Sequence, residues 1–175
     1  MHITTHDTPI GTLTLAADKG GLRHIIFPQG SRAFTAPEHW LPNPARFDAV
    51  RKQLDEYFEG SRQHFSLPLA PAGTEFQTAV WQALANIDYA STCSYGDLAK
   101  RLGKPRASRA VGAANGANPL PIIIPCHRVI GASGRLTGFG GGLLAKQWLL
   151  SHERGEGQLF GFDATIPAGG QEIRA

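Results

Sequence analysis

The chain contains two cysteines, and the neighbours of Cys126 are of the kind that can make a thiol reactive. Cys126 follows Pro125 and directly precedes His127 and Arg128, two side chains that can carry positive charge. A nearby positive charge lowers the pKa of a thiol and raises the fraction of thiolate, which is the nucleophilic form. We therefore take Cys126 as the candidate nucleophile and interpret Cys93 as a buried small side chain. For a lone cysteine such as Cys126, that structural interpretation is the alternative.

Glu153 could complete a proton relay around this cysteine. It ends a predicted helix that begins at Leu143, and an acidic side chain can orient a histidine that takes the proton of a thiol.

The glycine-rich segment 138–142 precedes this helix and contains Phe139 as its one aromatic residue. Its backbone lacks Cβ bulk, which suits a ligand that approaches main-chain N–H groups closely. The Gly-x-Gly-x-x-Gly spacing of a dinucleotide site is absent.

The residues before Cys126 predict the elements that must position it. The β-branched run Ile122 to Ile124 predicts a short buried strand that leads into the cysteine loop. Further upstream, Ser94 and Asp97 have the spacing of a capping box, which predicts a short helix that Gly103 ends. A second helix is predicted from residue 107 to about 115. Two short helices joined by a tight turn indicate a helix-turn-helix.

The second predicted helix consists almost entirely of small residues and arginine. A helix this slim can approach a nucleic acid groove closely, but an internal helix packed through its small residues is the alternative that composition alone favours. Residues 94–135 also hold seven Lys or Arg against Asp97 alone. Such a block is typical of a surface that binds a polyanion, and a solvated basic face is its alternative.

The first third of the chain predicts a small unit that contains β-strands and one helix. Apolar and polar residues alternate over 11–16 and 21–27, which predicts a β-hairpin, and apolar residues recur at helical spacing over 47–58. Residues 67–73 contain two prolines and a glycine and are the candidate linker. We therefore predict an α/β (α+β) protein: an N-terminal sheet-plus-helix domain over 1–66, a mostly helical domain over 74–155, and a C-terminal tail over 156–175.

Composition excludes several classes of protein. No apolar stretch approaches the roughly 18 residues of a membrane span, and the N-terminus lacks the pattern of a signal peptide, so we expect a cytoplasmic protein that contacts no membrane. Two cysteines are too few for a disulfide scaffold or a four-thiolate zinc site. His2 and His6 lie in a strand pattern and are too few for a metal site. We expect neither a metal nor a cofactor.

Several short motifs stand together between Thr74 and Gly155: Arg109-Ala110-Val111-Gly112, Asn118-Pro119, Pro125-Cys126-His127-Arg128-Val129, Gly141-Gly142-Leu143 and Glu153. In this combination the chain resembles the O6-alkylguanine-DNA alkyltransferases, while residues 1–66 share only a compatible length and pattern. The resemblance implies direct reversal of DNA damage. Members of the family move an alkyl group irreversibly from O6-alkylguanine in DNA to their own cysteine, without a cofactor, and each molecule acts once.

The resemblance also implies roles for individual residues. Cys126 would be the alkyl acceptor, His127 the base that takes its proton through a water, and Glu153 the acid that orients His127. Tyr95 would assist extrusion of the damaged base, and Asn118 would tie the recognition helix to the cysteine loop. The base pocket would be formed by four residues, among which the Val129 carbonyl would accept the guanine amino group: Pro121, Val129, Phe139 and Gly140.

For DNA, the resemblance implies double-stranded DNA bound through its minor groove by a monomer, with cooperative assembly left open. Arg109 would enter the base stack in place of the extruded nucleotide. The other expected DNA contacts lie on the second helix or beside the cysteine: Tyr95, Ala107, Ser108, Ala110, Gly112, Ala113 and Arg128. The sequence differs from the family at two expected pocket positions, so the roles of these two residues are less directly implied. Many members have Tyr at the position of Phe139, and some have Ser at that of Gly140. O4-alkylthymine is expected as a second substrate.

Two other functions fit parts of the same sequence. An alkyltransferase-like lesion binder flags damage without repairing it, but in that class the cysteine is replaced, so the presence of Cys126 argues against it. A cysteine hydrolase could use Cys126, His127 and Glu153. Cysteine proteases usually draw their histidine from a distant segment, which makes the adjacent Cys-His pair unlike them.

Overall fold

The alternating pattern of the first third forms a four-stranded sheet in the computed structural model, which describes residues 1–28 and 36–156. The strands are β1 (His2–His6), β2 (Leu13–Asp18), β3 (Gly21–Ile26) and β4 (Leu41–Pro42), in the spatial order β3-β2-β1-β4. The hairpin β2–β3 and the pair β1–β2 are antiparallel, and β4 runs parallel to β1. The predicted hairpin is confirmed, and the predicted tail, apart from residue 156, lies outside the described residues.

A 3₁₀ turn (Pro44–Phe47) leads from the sheet into α1 (Asp48–Phe58), as the spacing of Phe47, Val50 and Leu54 predicts. The apolar face of α1 shares a core with the inward side chains of β2 and β3. The segment 67–73 is not a free linker, because Leu22 N donates to Pro68 O at 2.8 Å and Ala70 N donates to Leu22 O at 2.9 Å. These bonds attach the segment to the edge of β3.

After α1, four α-helices, a 3₁₀ turn and a two-stranded sheet complete the described chain. Beyond α1 they are α2 (Glu75–Ala85), β5 (Cys93–Ser94), α3 (Tyr95–Arg101), α4 (Ser108–Gly116), a 3₁₀ turn (Cys126–Arg128), β6 (Val129–Ile130) and α5 (Gly142–Glu153). The predicted capping box of Ser94 and Asp97 is present at the start of α3, and a second capping box, formed by Thr74 and Gln77, begins α2. Gly103 ends the region of α3 at φ +67°, where a glycine is favoured.

The helices α2 and α3 pack against α4. Its buried face consists of Val111, Ala114 and Asn115, and the indole N–H of Trp81 on α2 donates to Ala114 O at 2.9 Å. The hydrophobic core is continuous from the sheet to α5. The predicted mixed fold, with an N-terminal sheet and a helical C-terminal part, is confirmed. Within the described ranges, no helix has the length and apolar character needed to cross a membrane.

Candidate active site and nucleic acid interface

Cys126 lies in a tight buried turn, not at the end of a strand. The expectation of a strand over 122–124 is wrong: Ile122 has φ +75° and Ile124 N donates to Leu120 O at 2.8 Å, so the chain turns here. Pro121 and Pro125 flank this run and have no N–H to give a strand ladder, so its β-branched side chains fill the core instead. Cys126 begins the following 3₁₀ turn, the cysteine turn (Cys126–Arg128).

The strand that positions the cysteine follows it. In β6, Val129 pairs in parallel with Cys93, and Ile130 pairs with Ser94, the residue that caps α3. This two-residue ladder joins the cysteine turn to the start of the helix-turn-helix. Tyr95, the first residue of α3, is thereby held close to the same region.

Two asparagines tie the cysteine turn to α4 and to the loop that follows α4. Asn118 donates to Ile124 O at 2.8 Å and accepts from Leu120 N at 3.0 Å, so it orders the loop before Cys126. Asn115, which lies on α4 itself, donates to Cys126 O at 3.4 Å. Asn118, expected to tie the recognition helix to the cysteine loop, bonds to that loop from a position just after α4, and Asn115 adds a contact from α4 itself.

The thiol of Cys126 is buried, with 4% of the residue exposed. Burial raises its pKa to about 11, while a hydrogen bond from Asn118 and the charge of Lys146 act in the opposite direction. The sequence expectation of a lowered thiol pKa, caused by His127 and Arg128, is therefore wrong. The thiol rests in its protonated form, and a base must accept its proton as the sulfur reacts.

His127 and Glu153 form a buried pair behind the cysteine. His127 Nε2 lies 2.7 Å from Glu153 Oε1, and the imidazole is fully buried. Burial lowers the pKa of His127 despite the neighbouring carboxylate, so the ring is neutral near pH 7. Its Nδ1 has no hydrogen-bond partner among the described residues, which leaves one ring nitrogen able to take a proton.

Glu153 is the centre of this network. Burial alone would raise its pKa, but hydrogen bonds from His127 and Arg128, together with their charges, hold the pKa well below its ordinary value. Arg128 donates through Nε to Glu153 Oε2 at 2.8 Å and through Nη2 to Oε1 at 2.9 Å. The backbone N–H of Ala90 donates to Oε2 at 3.0 Å. Glu153 is therefore ionised and fixed in position.

Arg128 lies in the interior of the protein and not on its surface, so the expectation that it contacts DNA is wrong. The residue is 6% exposed, and its remaining donor, Nη1, bonds to Ile87 O at 2.6 Å. Its guanidinium lies over the ring of Tyr89, 5.6 Å from the ring centre. A charged side chain is this deeply buried because Glu153 compensates its charge in a two-point contact.

We expect Arg128→Met to lower the free energy of unfolding by about 3–5 kcal/mol, because it leaves the Glu153 carboxylate buried without its charge partner. Urea denaturation measures this change. Arg135→Met is the matched control: Arg135 is exposed, and its loss should change stability by less than about 0.5 kcal/mol. Equal stability of the two variants would show that Arg128 contributes no buried ion pair.

Lys146 belongs to the site although the sequence interpretation did not include it. Its side chain is fully buried on α5, and Nζ donates to Val129 O at 2.6 Å and to Thr137 O at 2.8 Å. Burial lowers its pKa to about 8. Lys146 lies seven residues before Glu153, two helical turns away on the same face, and this spacing is the signal that could have identified it.

Three of the expected base-pocket residues, Val129, Phe139 and Gly140, contact this lysine or belong to the glycine-rich segment. The Val129 carbonyl, expected to accept a guanine amino group, already accepts from Lys146 and has a second lone pair. Phe139 is 8% exposed and makes edge contacts with Phe27 at 5.4 Å and with His127 at 6.4 Å between ring centres. Pro121 is buried and Gly140 is exposed.

The N-terminal sheet supports the glycine-rich segment from behind. A Cβ at Gly141 would lie 2.7 Å from the ring of Phe27, so only glycine allows this approach of the backbone to the ring. Phe27 follows β3 directly. The segment near Cys126 is therefore shaped by residues of both halves of the chain.

One face of α4 is open to solvent and almost free of bulk. Arg109, Ala110, Ala113 and Gly116 are exposed, with spacings of one turn, while the opposite face is buried. The buried face fits the interpretation as a packed internal helix, and the exposed face of small residues is available for a close approach by a ligand. The other expected contacts of the helix, Ala107, Ser108 and Gly112, are half-buried beside the exposed face.

Tyr95 links this face to the loop before the glycine-rich segment. Thr137 Oγ1 donates to the hydroxyl of Tyr95 at 3.0 Å, and the Tyr95 ring lies beside Gly112, where a Cβ would be 3.7 Å away.

Among the described residues, no group of three or more His, Cys, Asp or Glu side chains is arranged to hold a metal ion.

Comparison with known proteins gives two family matches that together span most of the chain. Residues 1–71 match "6-O-methylguanine DNA methyltransferase, ribonuclease-like domain", and residues 75–155 match "6-O-methylguanine DNA methyltransferase, DNA binding domain". A methylated-DNA–protein-cysteine methyltransferase of Methanosarcina acetivorans is 47% identical over 153 residues, covering 87% of this chain and 98% of that protein. The protein of the same name from Mycobacterium tuberculosis is 47% identical over 154 residues, covering 88% and 93%.

Solved structures agree with these matches. The crystal structure of Mycobacterium tuberculosis OGT in complex with DNA has a TM-score of 0.83 and 46% identity, and the match covers 89% of this chain and 94% of that one. The structure of the O6-methylguanine methyltransferase of the same organism has a TM-score of 0.82 and 44% identity, with 96% of each chain covered.

Proposed function

The chain belongs to the 6-O-methylguanine DNA methyltransferase family, the methylated-DNA–protein-cysteine methyltransferases of DNA repair, and on this basis we propose that it removes the alkyl group of O6-alkylguanine in DNA by transferring it to Cys126. The observation that carries the proposal is the buried Cys126 thiol next to a neutral His127 that Glu153 holds by its Nε2. O4-alkylthymine is a second substrate in this proposal, and double-stranded DNA is the partner.

The chemistry is a displacement at the alkyl carbon. The sulfur of Cys126 forms a bond to that carbon while the bond from carbon to O6 breaks, so the products are a thioether and an unmodified guanine. The thiol proton passes through a water to Nδ1 of His127, and one proton returns to the departing guanine, so atoms and charge balance. Main-chain N–H groups of segment 138–142 and the Tyr95 hydroxyl are the donors for the leaving oxygen. Because a thioether does not release the alkyl group, each molecule acts once.

Base extrusion follows from the position of the thiol. Since Cys126 is buried in a turn, it cannot reach an O6 atom inside a stacked duplex, and the damaged nucleotide must leave the stack at a cost of roughly a few kcal/mol. We propose that the exposed face of α4 enters the minor groove, where Ala110, Ala113 and Gly116 permit close approach. Arg109, exposed on the same face, fills the gap left by the base. A single copy of the chain supplies every residue of this proposal.

Arg109→Ala should slow repair of a duplex roughly tenfold or more at saturating protein, since base unstacking costs on the order of a few kcal/mol and each 1.4 kcal/mol is tenfold in rate. Reaction with free O6-benzylguanine should be unchanged, because a free base has no stack to hold open. Arg106→Ala, another exposed arginine next to α4, is the matched control for lost charge. If the saturated duplex rate of Arg109→Ala equals that of the unchanged protein, Arg109 is only an electrostatic contact.

The deciding experiment for the proposed function is the intact mass of the protein after incubation with a duplex that contains one O6-methylguanine. We expect a permanent gain of one methyl group in place of a hydrogen, located on Cys126 by peptide mapping. Binding of the lesion without a mass gain would indicate a lesion binder, and release of a hydrolysed product with repeated turnover would indicate a hydrolase. A duplex with O4-methylthymine at the same position tests the second substrate.

A further inference from the structure

The acid of the proposed relay accepts a hydrogen bond from the N-terminal half of the chain. The hydroxyl of Tyr57, in the last turn of α1, donates to Glu153 Oε1 at 2.8 Å. This is the same oxygen that lies 2.7 Å from His127 Nε2. Tyr57 is fully buried and is 96 residues away from Glu153 in the sequence. A single phenol thus reaches from the sheet-plus-helix half into the network behind Cys126.

The tyrosine itself is held firmly. Its ring makes edge or tilted contacts with Phe58, Phe65, Tyr89 and His152, with ring centres 5.3–6.2 Å apart. His152 Nε2 also lies 2.7 Å from the main-chain oxygen of Tyr57. Burial and the neighbouring carboxylate raise the pKa of the Tyr57 phenol well above its ordinary value, so it remains a donor throughout the working pH range.

We propose that Tyr57 is a positioning residue for alkyl transfer: its hydroxyl holds Glu153, and through Glu153 the imidazole of His127, in the geometry needed to accept the proton of Cys126. This inference rests on the proposed function and assigns a part of it to the N-terminal half. Arg128 and the Ala90 N–H bind mainly Oε2, with one further Arg128 bond to Oε1. Tyr57 therefore acts on the oxygen that faces the histidine.

The direction of the expected effect follows from the donors on that oxygen. A hydrogen bond from Tyr57 stabilises the negative charge of Glu153, so its removal makes the carboxylate more basic and strengthens its hold on a protonated His127. The pKa of His127 should then rise, and the acid limb of the transfer rate should move to higher pH. The titratable and charged groups of this network are Cys126, Arg128, Lys146, His152, Glu153, Tyr57 and Tyr89.

The test compares Tyr57→Phe with the unchanged protein in single-turnover transfer from free O6-benzylguanine between about pH 4 and pH 9, a range that extends well below the ordinary histidine pKa of about 6.5 because burial lowers the pKa of His127. We expect the rate constant at the plateau to fall several-fold and the acid limb to shift upward by about half a pH unit or more, the size of effect that one hydrogen bond to a charged group gives. Because each molecule reacts once, the final mass gain counts folded molecules, and the rate constant reports the chemistry separately.

Tyr89→Phe is the matched control. The Tyr89 ring lies against both Tyr57 and Arg128, but among the described contacts its hydroxyl makes no hydrogen bond to Glu153. We expect its acid limb to stay in place. An unshifted limb in Tyr57→Phe, with or without a uniformly lower rate, would overturn the proposal and leave Tyr57 a core residue. If the unchanged protein gains no mass at all, the proposed function fails instead.

Discussion

Cys126→Ser is expected to abolish alkyl transfer while the protein still binds alkylated DNA. Serine has nearly the same size, but its hydroxyl ionises far less readily and is a weaker nucleophile. In this site the difference is decisive, because burial already raises the pKa of the Cys126 thiol to about 11, so the thiol is almost entirely protonated near neutral pH. Intact mass after incubation with O6-methylguanine duplex measures transfer, and a gel shift measures binding.

Cys93→Ser provides the control for the loss of a thiol in the same fold. Cys93 is buried in β5, and burial also raises its pKa. Its side chain belongs to the core beside β6, with no described hydrogen bond to His127 or Glu153. We expect this variant to transfer at close to the full rate. Transfer by Cys126→Ser, or its loss in Cys93→Ser, would reverse the assignment of the nucleophile.

The second large effect is expected for the pair His127 and Glu153. Loss of a general base costs about a hundredfold to ten-thousandfold in rate, so His127→Gln should slow transfer by this order. Glu153→Gln should also slow it, because the amide no longer holds the imidazole by charge. If the two residues act in one proton pathway, the double variant should be little slower than the worse single variant.

Single-turnover rate constants for the two single variants and the double variant decide this point. Final mass gain must be recorded for each, because Glu153→Gln also leaves Arg128 buried without a charge partner and reduces the folded fraction. Losses that multiply across the double variant would indicate two independent contributions. In that case Glu153 would serve the stability of the fold and not the proton transfer.

Much of this fold was predictable from patterns among residues that are close together in the sequence. The caps at Thr74 and Ser94 depend on residues three positions apart, and both helices begin where these residues predict. The run at 122–124 led to a wrong prediction of a strand, because β-branched composition indicates burial as strongly as it indicates a strand. Only the flanking prolines mark it as a turn.

The contacts that sequence could not give are those between distant residues. Arg128 follows Cys126 and His127 in a basic block, so it was expected on the DNA surface, and only the fold places it against Glu153, 25 residues away. Tyr57 and Glu153 meet across 96 residues. No local pattern in α1 separates a tyrosine that binds a carboxylate from one that simply fills the core.

The contact between Phe27 and Gly141 matters for anyone who would redesign this protein to accept bulkier leaving groups. Any side chain introduced at position 141 would clash with the ring of Phe27, which follows β3. Most variants at this position would therefore distort the loop. Positions 138 and 140 are different, because a Cβ at either would meet nothing within 4 Å. Two neighbouring sites in one short loop are thus open to variation, and the third is closed by the other half of the chain.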